Sequence, residues 1–89
     1  MINDSILLQA INHFGKEKQA LIAVEEMSEL QKELLKHFNR GESNLELIKE
    51  ELADVLITLR QLVLIFNYSE IELNNVINQK LKRLEGYLK

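Results

Sequence analysis

Apolar residues recur three or four positions apart along most of this chain, and no segment alternates apolar and polar residues one by one. This spacing places apolar side chains on one face of an α-helix and predicts an all-α fold. The strongest helix breakers are few, because proline is absent and glycine occurs only at Gly15, Gly41 and Gly86. The pattern predicts four helices, at about residues 4–14, 16–40, 44–66 and 70–88.

Two Ser-x-x-Glu segments mark predicted helix starts, at Ser43 with Glu46 and at Ser69 with Glu72. In such a capping box, the hydroxyl and the carboxylate each bond a backbone N–H of the first turn. Gly41 is the expected stop of the second helix. Since the connections are short, neighbouring helices should be antiparallel. Residues 1–89 are therefore predicted to form one domain, a four-helix antiparallel bundle.

Composition narrows the classes of partner and compartment. The formal net charge is -3, which argues against direct nucleic-acid binding because that needs a basic face. The absence of cysteine leaves neither a disulfide nor a thiolate metal site. The N-terminus lacks a signal-peptide pattern, and the longest apolar run is too short to span a bilayer. We expect a soluble, cytoplasmic protein that does not contact membranes.

Carboxylates lie close to the predicted apolar stripes of the second and third helices. The stripes consist of Ala20, Ala23, Met27, Leu30, Leu34 and Phe38, and of Ile48, Leu52, Val55, Leu59, Leu62 and Phe66. At about 100° per residue, Glu51 falls about 40° from Val55, and Asp54 lies slightly further round the same side. A half-buried carboxylate without a partner is costly, so Glu51 should have a basic partner or a metal ion.

Two carboxylate pairs share an i, i+3 spacing, Glu26 with Glu29 and Glu51 with Asp54. Each pair lies on one helix face, and a hairpin of the two helices would bring all four carboxylates together. Such an oxygen-rich set suits Mg²⁺, with Mn²⁺ as a substitute. The alternative is a solvated acidic surface whose members pair with Lys32, Lys36 or Lys49. That alternative accounts for an exposed glutamate but not for Glu51 among apolar neighbours.

The segments "VEEMSEL" and "KEELADVL" resemble the EExxE and ExxD motifs of the MazG-like, all-α nucleoside triphosphate pyrophosphohydrolases. The preceding "FGKEKQALIAVEE" is similar to the segment before the first motif, and the resemblance covers about residues 14–62. It implies Mg²⁺-dependent hydrolysis of ribo- or deoxyribonucleoside triphosphates between the α and β phosphates, giving the monophosphate and pyrophosphate. A housecleaning role on modified nucleotides is compatible with it.

The resemblance also implies roles for individual residues. The implied metal ligands are Glu26, Glu29, Glu51 and Asp54. A metal-activated water would attack, with Glu25 or Glu29 orienting it or taking its proton. The implied substrate-binding residues are Asn78, Lys80 and Arg83 of "NQKLKR" in the fourth helix, and Gln19 is a further candidate on the face of Glu26. Alternatively, Lys80 and Arg83 cover apolar surface with their stems and keep their charges in water.

The third helix is apolar almost all round, since Ala53, Leu56, Ile57 and Leu64 lie off its stripe. A chain of 89 residues cannot cover all of that surface by itself, so we expect a homodimer built on this helix, or a tetramer. Two other functions stay open. One is a non-catalytic helical interaction module, and the other is a protein of the same fold that binds nucleotide without turnover.

Overall fold

The computed structural model describes residues 2–89, and within that range it contains four α-helices and no strand. The helices are α1 Asp4–Phe14, α2 Lys16–Arg40, α3 Leu45–Ile65 and α4 Glu70–Tyr87. The predicted all-α class is confirmed. The predicted ends of α1 and α2 also hold, while α3 is one residue shorter at each end and α4 ends one residue earlier.

Two of the predicted end signals work as expected. The Ser69 hydroxyl accepts a hydrogen bond from the backbone N–H of Glu72 at 3.3 Å, which caps α4. Gly41 follows α2 in the left-handed conformation, with φ 67, and its N–H bonds to the carbonyl of His37. Glycine adopts that conformation without steric cost, so α2 ends there cleanly.

The predicted capping box at Ser43 is wrong. The residue that caps α3 is Asn44, and its side chain makes no hydrogen bond to the first turn. The Asn44 amide instead reaches back to α2, where Nδ2 lies 2.9 Å from the carbonyl oxygen of Glu33 and 3.0 Å from its Oε1. The Asn44 side chain thus links α3 to α2 and does not cap the first turn of α3.

Helices α2 and α3 form a hairpin in which the chain runs in opposite directions. At one end Asn44 contacts Glu33, and at the other Gln61 Nε2 donates to Gln19 Oε1 at 2.9 Å. Helix α1 packs against both. A bidentate ion pair joins α1 to α3. Arg60 Nε and Nη2 lie 2.9 and 2.7 Å from the two carboxylate oxygens of Asp4.

The buried faces of α2 and α3 differ from the predicted ones. The buried residues are Gln19, Ala23 and Glu33 in α2, and Val55, Thr58 and Gln61 in α3. At about 100° per residue, these faces lie roughly 60–80° from the predicted centres, toward the acidic sides. The expected core positions Leu34 and Phe38 are 37% and 76% exposed. The two helices meet through small and hydrogen-bonded side chains, which leaves much of the apolar stripes exposed.

Helix α4 stands apart from the other three. None of its Cα atoms lies within 8 Å of a Cα atom of α1, α2 or α3 as the structure describes them, and none of its residues is buried. Its first residue, Glu70, is linked to Arg60 by an ion pair of 3.1 Å. One chain therefore packs three of its helices together, and a four-helix antiparallel bundle stays a prediction.

Across residues 2–89, no helix is both long enough and apolar enough to cross a membrane.

Candidate metal centre

Three carboxylates meet across the α2–α3 hairpin. Glu26 comes from α2, and Glu51 and Asp54 come from adjacent turns of α3. One oxygen from each lies within 4.8 Å of one from each of the other two. The structure thus brings together three of the four predicted metal ligands, and they belong to both sequence motifs.

The environment of the cluster makes ionisation of Glu26 and Glu51 less favourable. Glu26 and Glu51 are half-buried, while Asp54 is exposed. Burial raises the pKa of Glu26, and the charges of Asp54 and Glu51 raise it further. The pKa of Glu51 is raised by burial first and then by the charge of Asp54. A cation placed among the three oxygens would reverse these effects, because it favours the ionised carboxylates.

One oxygen of Glu51 makes the strongest case for a cation. Its Oε2 is buried, and among the described residues it has no hydrogen-bond partner. Buried polar atoms in folded proteins nearly always have a partner, so an orphaned carboxylate oxygen requires an explanation. All the donors here are carboxylate oxygens, which suit Mg²⁺ or Mn²⁺, whereas structural zinc sites use cysteine and histidine. The residues present therefore fit a hard divalent cation.

No lysine among the described residues pairs with these three carboxylates. The ion pairs on these faces join Lys36 to Glu33 at 3.4 Å and Lys49 to Glu46 at 2.8 Å. Within residues 2–89, no salt bridge involves Glu26, Glu51 or Asp54. The predicted alternative of lysine pairing therefore describes neighbouring acids and not these three.

The remaining acids of the first motif lie on the exposed side of α2. Glu29 is outside the group of three, but its charge is among those that raise the pKa values of Glu26 and Glu51. Glu25 is also exposed, and it lies about 100° from Glu26 around the helix, whereas Glu29 lies about 60° from it. Glu29 is therefore the closer of the two to the carboxylate cluster around α2. Their predicted catalytic roles, and the role of Glu29 as a ligand, stay predictions.

The predicted substrate-binding residues are not gathered at this centre within one chain. Gln19 is buried, and its amide oxygen accepts the hydrogen bond from Gln61. Asn78, Lys80 and Arg83 are exposed on α4, which packs on none of the other helices. Their contact with a substrate at the carboxylates stays a prediction.

Several residues that shape the hairpin were missed by the sequence analysis. They are Glu33, Asn44, Arg60 and Gln61, which hold α2, α3 and α1 together. The sequence contains an indication for two of them, since Arg60 and Gln61 are polar residues within the mostly apolar segment from Val55 to Phe66. Polar residues inside such a run tend to be hydrogen-bonded. Asn44 carries no comparable signal, since asparagine before a helix is an ordinary cap residue.

Comparison with known proteins gives no match. No protein-family model matches the chain, and neither does a curated protein or a solved structure. The resemblance to the MazG-like enzymes therefore stays a prediction from the two motifs, and the geometry of Glu26, Glu51 and Asp54 is an independent observation.

Proposed function

We propose that this chain is a MazG-like, Mg²⁺-dependent pyrophosphohydrolase of ribo- or deoxyribonucleoside triphosphates. It would cleave between the α and β phosphates and release the nucleoside monophosphate and pyrophosphate. The observation that carries the proposal is the meeting of Glu26 from the first motif with Glu51 and Asp54 from the second, within 4.8 Å. Two motifs that are separate in sequence become one oxygen-rich centre through the hairpin.

In this proposal Glu26, Glu51 and Asp54 hold the cation, and Glu29 extends the set from the next turn of α2. Bound Mg²⁺, or Mn²⁺ in its place, supplies positive charge for the polyphosphate and lowers the pKa of a water molecule. Glu51 is the half-buried member of α3 in this set, and its buried Oε2, which has no partner among the described residues, would gain one in the cation. A carboxylate that the cation does not fully use, Glu29 or Glu25, would orient the attacking water or accept its proton.

The wider proposal includes an assembly. A homodimer, or a tetramer formed from two dimers, would cover the exposed apolar residues of α3, which include Leu52, Leu56 and Leu59. A second copy could also bring Asn78, Lys80 and Arg83 to a substrate at the metal centre. Gln19 would contact the substrate from its position in the α2–α3 hairpin. The expected cellular location is the cytoplasm.

The decisive experiment is pyrophosphate release from a panel of ribo- and deoxyribonucleoside triphosphates, with Mg²⁺ and with chelator. We expect release from at least one nucleotide with metal and none with chelator. Glu51→Gln should abolish release, because it removes the half-buried ligand. The matched control is Glu46→Gln, which lies in the first turn of the same helix and pairs with Lys49. No release from any nucleotide would refute the proposed enzyme.

A non-catalytic interaction module is the second candidate, and the extent of exposed apolar surface favours it. Large apolar residues are exposed on all four helices. Such surface is typical of a protein that binds another chain. This candidate predicts no response of thermal stability to Mg²⁺, whereas both the enzyme and a nucleotide-binding protein without turnover predict one.

A further inference from the structure

Polar side chains meet across the α2–α3 hairpin at three levels, spaced seven residues apart in each helix. At the connected end Asn44 bonds Glu33. Seven residues back along α2 and seven residues on along α3 lie Glu26 and Glu51 of the metal centre. Seven residues are nearly two helical turns, so this step returns to the same face of each helix, about 10.5 Å further along it.

The third level repeats the arrangement of the second. A further step of seven residues leads to Gln19 in α2 and to Thr58 in α3, and both are buried. Gln61 follows Thr58 by three residues and donates the hydrogen bond to Gln19. In the same way, Asp54 follows Glu51 by three residues and completes the metal centre. The carboxylates therefore lie midway between two hydrogen-bonded contacts.

The end levels and the middle level differ in their electrostatics. The Asn44–Glu33 and Gln61–Gln19 contacts form the outer layers, in which an amide of one helix donates to oxygen atoms of the other. The three carboxylates of the metal centre form the middle layer, and like charges so close together repel one another. Without a cation, the outer layers therefore hold together two helices that the middle layer pushes apart.

The outer layers also restrict how the two helices can be placed against each other. Hydrogen bonds are directional and apolar contacts are not, so bonded polar side chains in a helix–helix seam fix its alignment. Asn44 illustrates the preference for the contact between helices. An N-cap side chain that bonds the first turn stabilises a helix by about 1 kcal/mol, yet the Asn44 amide bonds α2 instead.

We propose that the outer layers position the carboxylates of the middle layer for a divalent cation. Asn44, Gln19 and Gln61 are then positioning residues, because they set the rotation and axial alignment of α2 against α3 before the cation binds. Loss of contacts that orient metal ligands typically weakens metal binding about 10- to 100-fold. The inference rests on the proposed metal centre, and it adds that its affinity depends on amides outside it.

The Gln61–Gln19 layer gives the cleanest test, because Gln19→Leu/Gln61→Leu leaves the net charge unchanged. Replacing both partners of a buried hydrogen bond by apolar groups is nearly neutral for stability, so the free energy of unfolding in chelator should stay close to that of wild type. The dissociation constant for Mg²⁺, measured by calorimetry without nucleotide, should nevertheless rise about tenfold or more. The control is Gln31→Leu, at an exposed position of α2, which should change neither quantity.

Asn44→Ser tests the other outer layer. Serine is as good an N-cap residue as asparagine, so α3 should remain capped. The variant replaces the amide that bonds Glu33 by a shorter hydroxyl, and it too leaves the net charge unchanged. The dissociation constant for Mg²⁺ should rise here as well, and an unchanged value would overturn the role of Asn44.

A cross-link reports the alignment of the helices without metal. The chain has no cysteine, so Glu26→Cys/Glu51→Cys introduces one thiol on each side of the middle layer. In the comparison pair, Glu26→Cys/Leu47→Cys, the second thiol lies about one helical turn nearer the connection. A short bifunctional thiol reagent should link the first pair faster, and adding Gln19→Leu/Gln61→Leu should lower the ratio of the two rates about tenfold.

Two results would overturn the inference for the Gln61–Gln19 layer. One is a wild type that binds Mg²⁺ no more tightly than Gln19→Leu/Gln61→Leu, and the other is a cross-linking ratio that the double variant leaves unchanged. Both measurements are made without nucleotide. A wild type that binds Mg²⁺ but releases no pyrophosphate therefore refutes the enzyme alone, whereas a wild type that binds no Mg²⁺ refutes the enzyme and this inference together.

Discussion

Gln61 of α3 donates a hydrogen bond of 2.9 Å to Gln19 of α2, and both residues are buried at one end of the hairpin that the two helices form. The oxygen of Gln19 is therefore engaged inside the fold. A residue held in this way supports the hairpin that carries the carboxylates. Its predicted contact with substrate is a separate role, and the two roles can be distinguished by experiment.

We predict that Gln61→Leu lowers the free energy of unfolding by about 1–3 kcal/mol, because it leaves the buried oxygen of Gln19 without a donor. The double variant Gln19→Leu/Gln61→Leu should lose less than the sum of the two single variants, since it removes both partners. Urea unfolding measures all three. The control is Gln31→Leu, at an exposed position of α2, the helix that carries Gln19. Additive losses would contradict the structural role, and a raised KM for Gln19→Leu would reveal the substrate contact.

The metal centre predicts a thermal response to Mg²⁺. A cation that binds only the folded chain stabilises it by about 2.7 kcal/mol at a concentration 100 times its dissociation constant. Wild type should therefore melt higher with Mg²⁺ than with chelator, Glu51→Gln should not respond, and Glu46→Gln should behave as wild type. In chelator Glu51→Gln should melt higher than wild type. Burial raises the pKa of the Glu51 carboxyl, so its negative charge is unfavourable in the folded chain, and the variant removes that charge. An equal Mg²⁺ response in Glu51→Gln would exclude this centre.

The ion pair of Asp4 with Arg60 predicts a pH dependence of stability. The hydrogen bonds from Arg60 lower the pKa of Asp4 below its ordinary value of 3.8. A carboxyl whose pKa is lower in the folded state stabilises the fold above its unfolded pKa, and loses that effect as the pH falls through its folded pKa. Asp4→Asn should therefore be less stable than wild type from about pH 5 upward, and the difference should vanish toward about pH 2. Thermal melts across that range measure it, and a difference that persists at the lowest pH would show that the carboxylate charge is not the cause.

Local signals in the sequence predicted the helices and their ends, whereas contacts between helices were predicted only in part. Gly41 and Ser69 act within a few residues of themselves, so their effect could be derived from spacing alone. The prediction at Ser43 was wrong because α3 begins one residue later, with Asn44 at its N-cap, and the Asn44 side chain bonds Glu33, eleven residues away. The position of Glu51 near the buried face was predicted correctly, yet the buried faces are more polar than hydropathy suggests. An apolar stripe such as that of α4 predicts that something covers it but not which helix does.

The unequal positions of Glu25 and Glu29 predict which carboxylate acts on the attacking water. At about 100° per residue Glu29 lies about 60° from Glu26 around α2, whereas Glu25 lies about 100° from it, and the charge of Glu29 raises the pKa values of both Glu26 and Glu51. Glu29→Gln should therefore lower kcat by a factor of about 10² to 10⁴, the usual contribution of a general base. Glu25→Gln should have a much smaller effect. Steady-state rates at saturating nucleotide measure both, and the Mg²⁺ response of the melting temperature separates proton transfer from metal binding. Retained metal binding with lost turnover in Glu29→Gln would identify the base, whereas loss of both would make Glu29 a fourth ligand and leave Glu25 as the candidate.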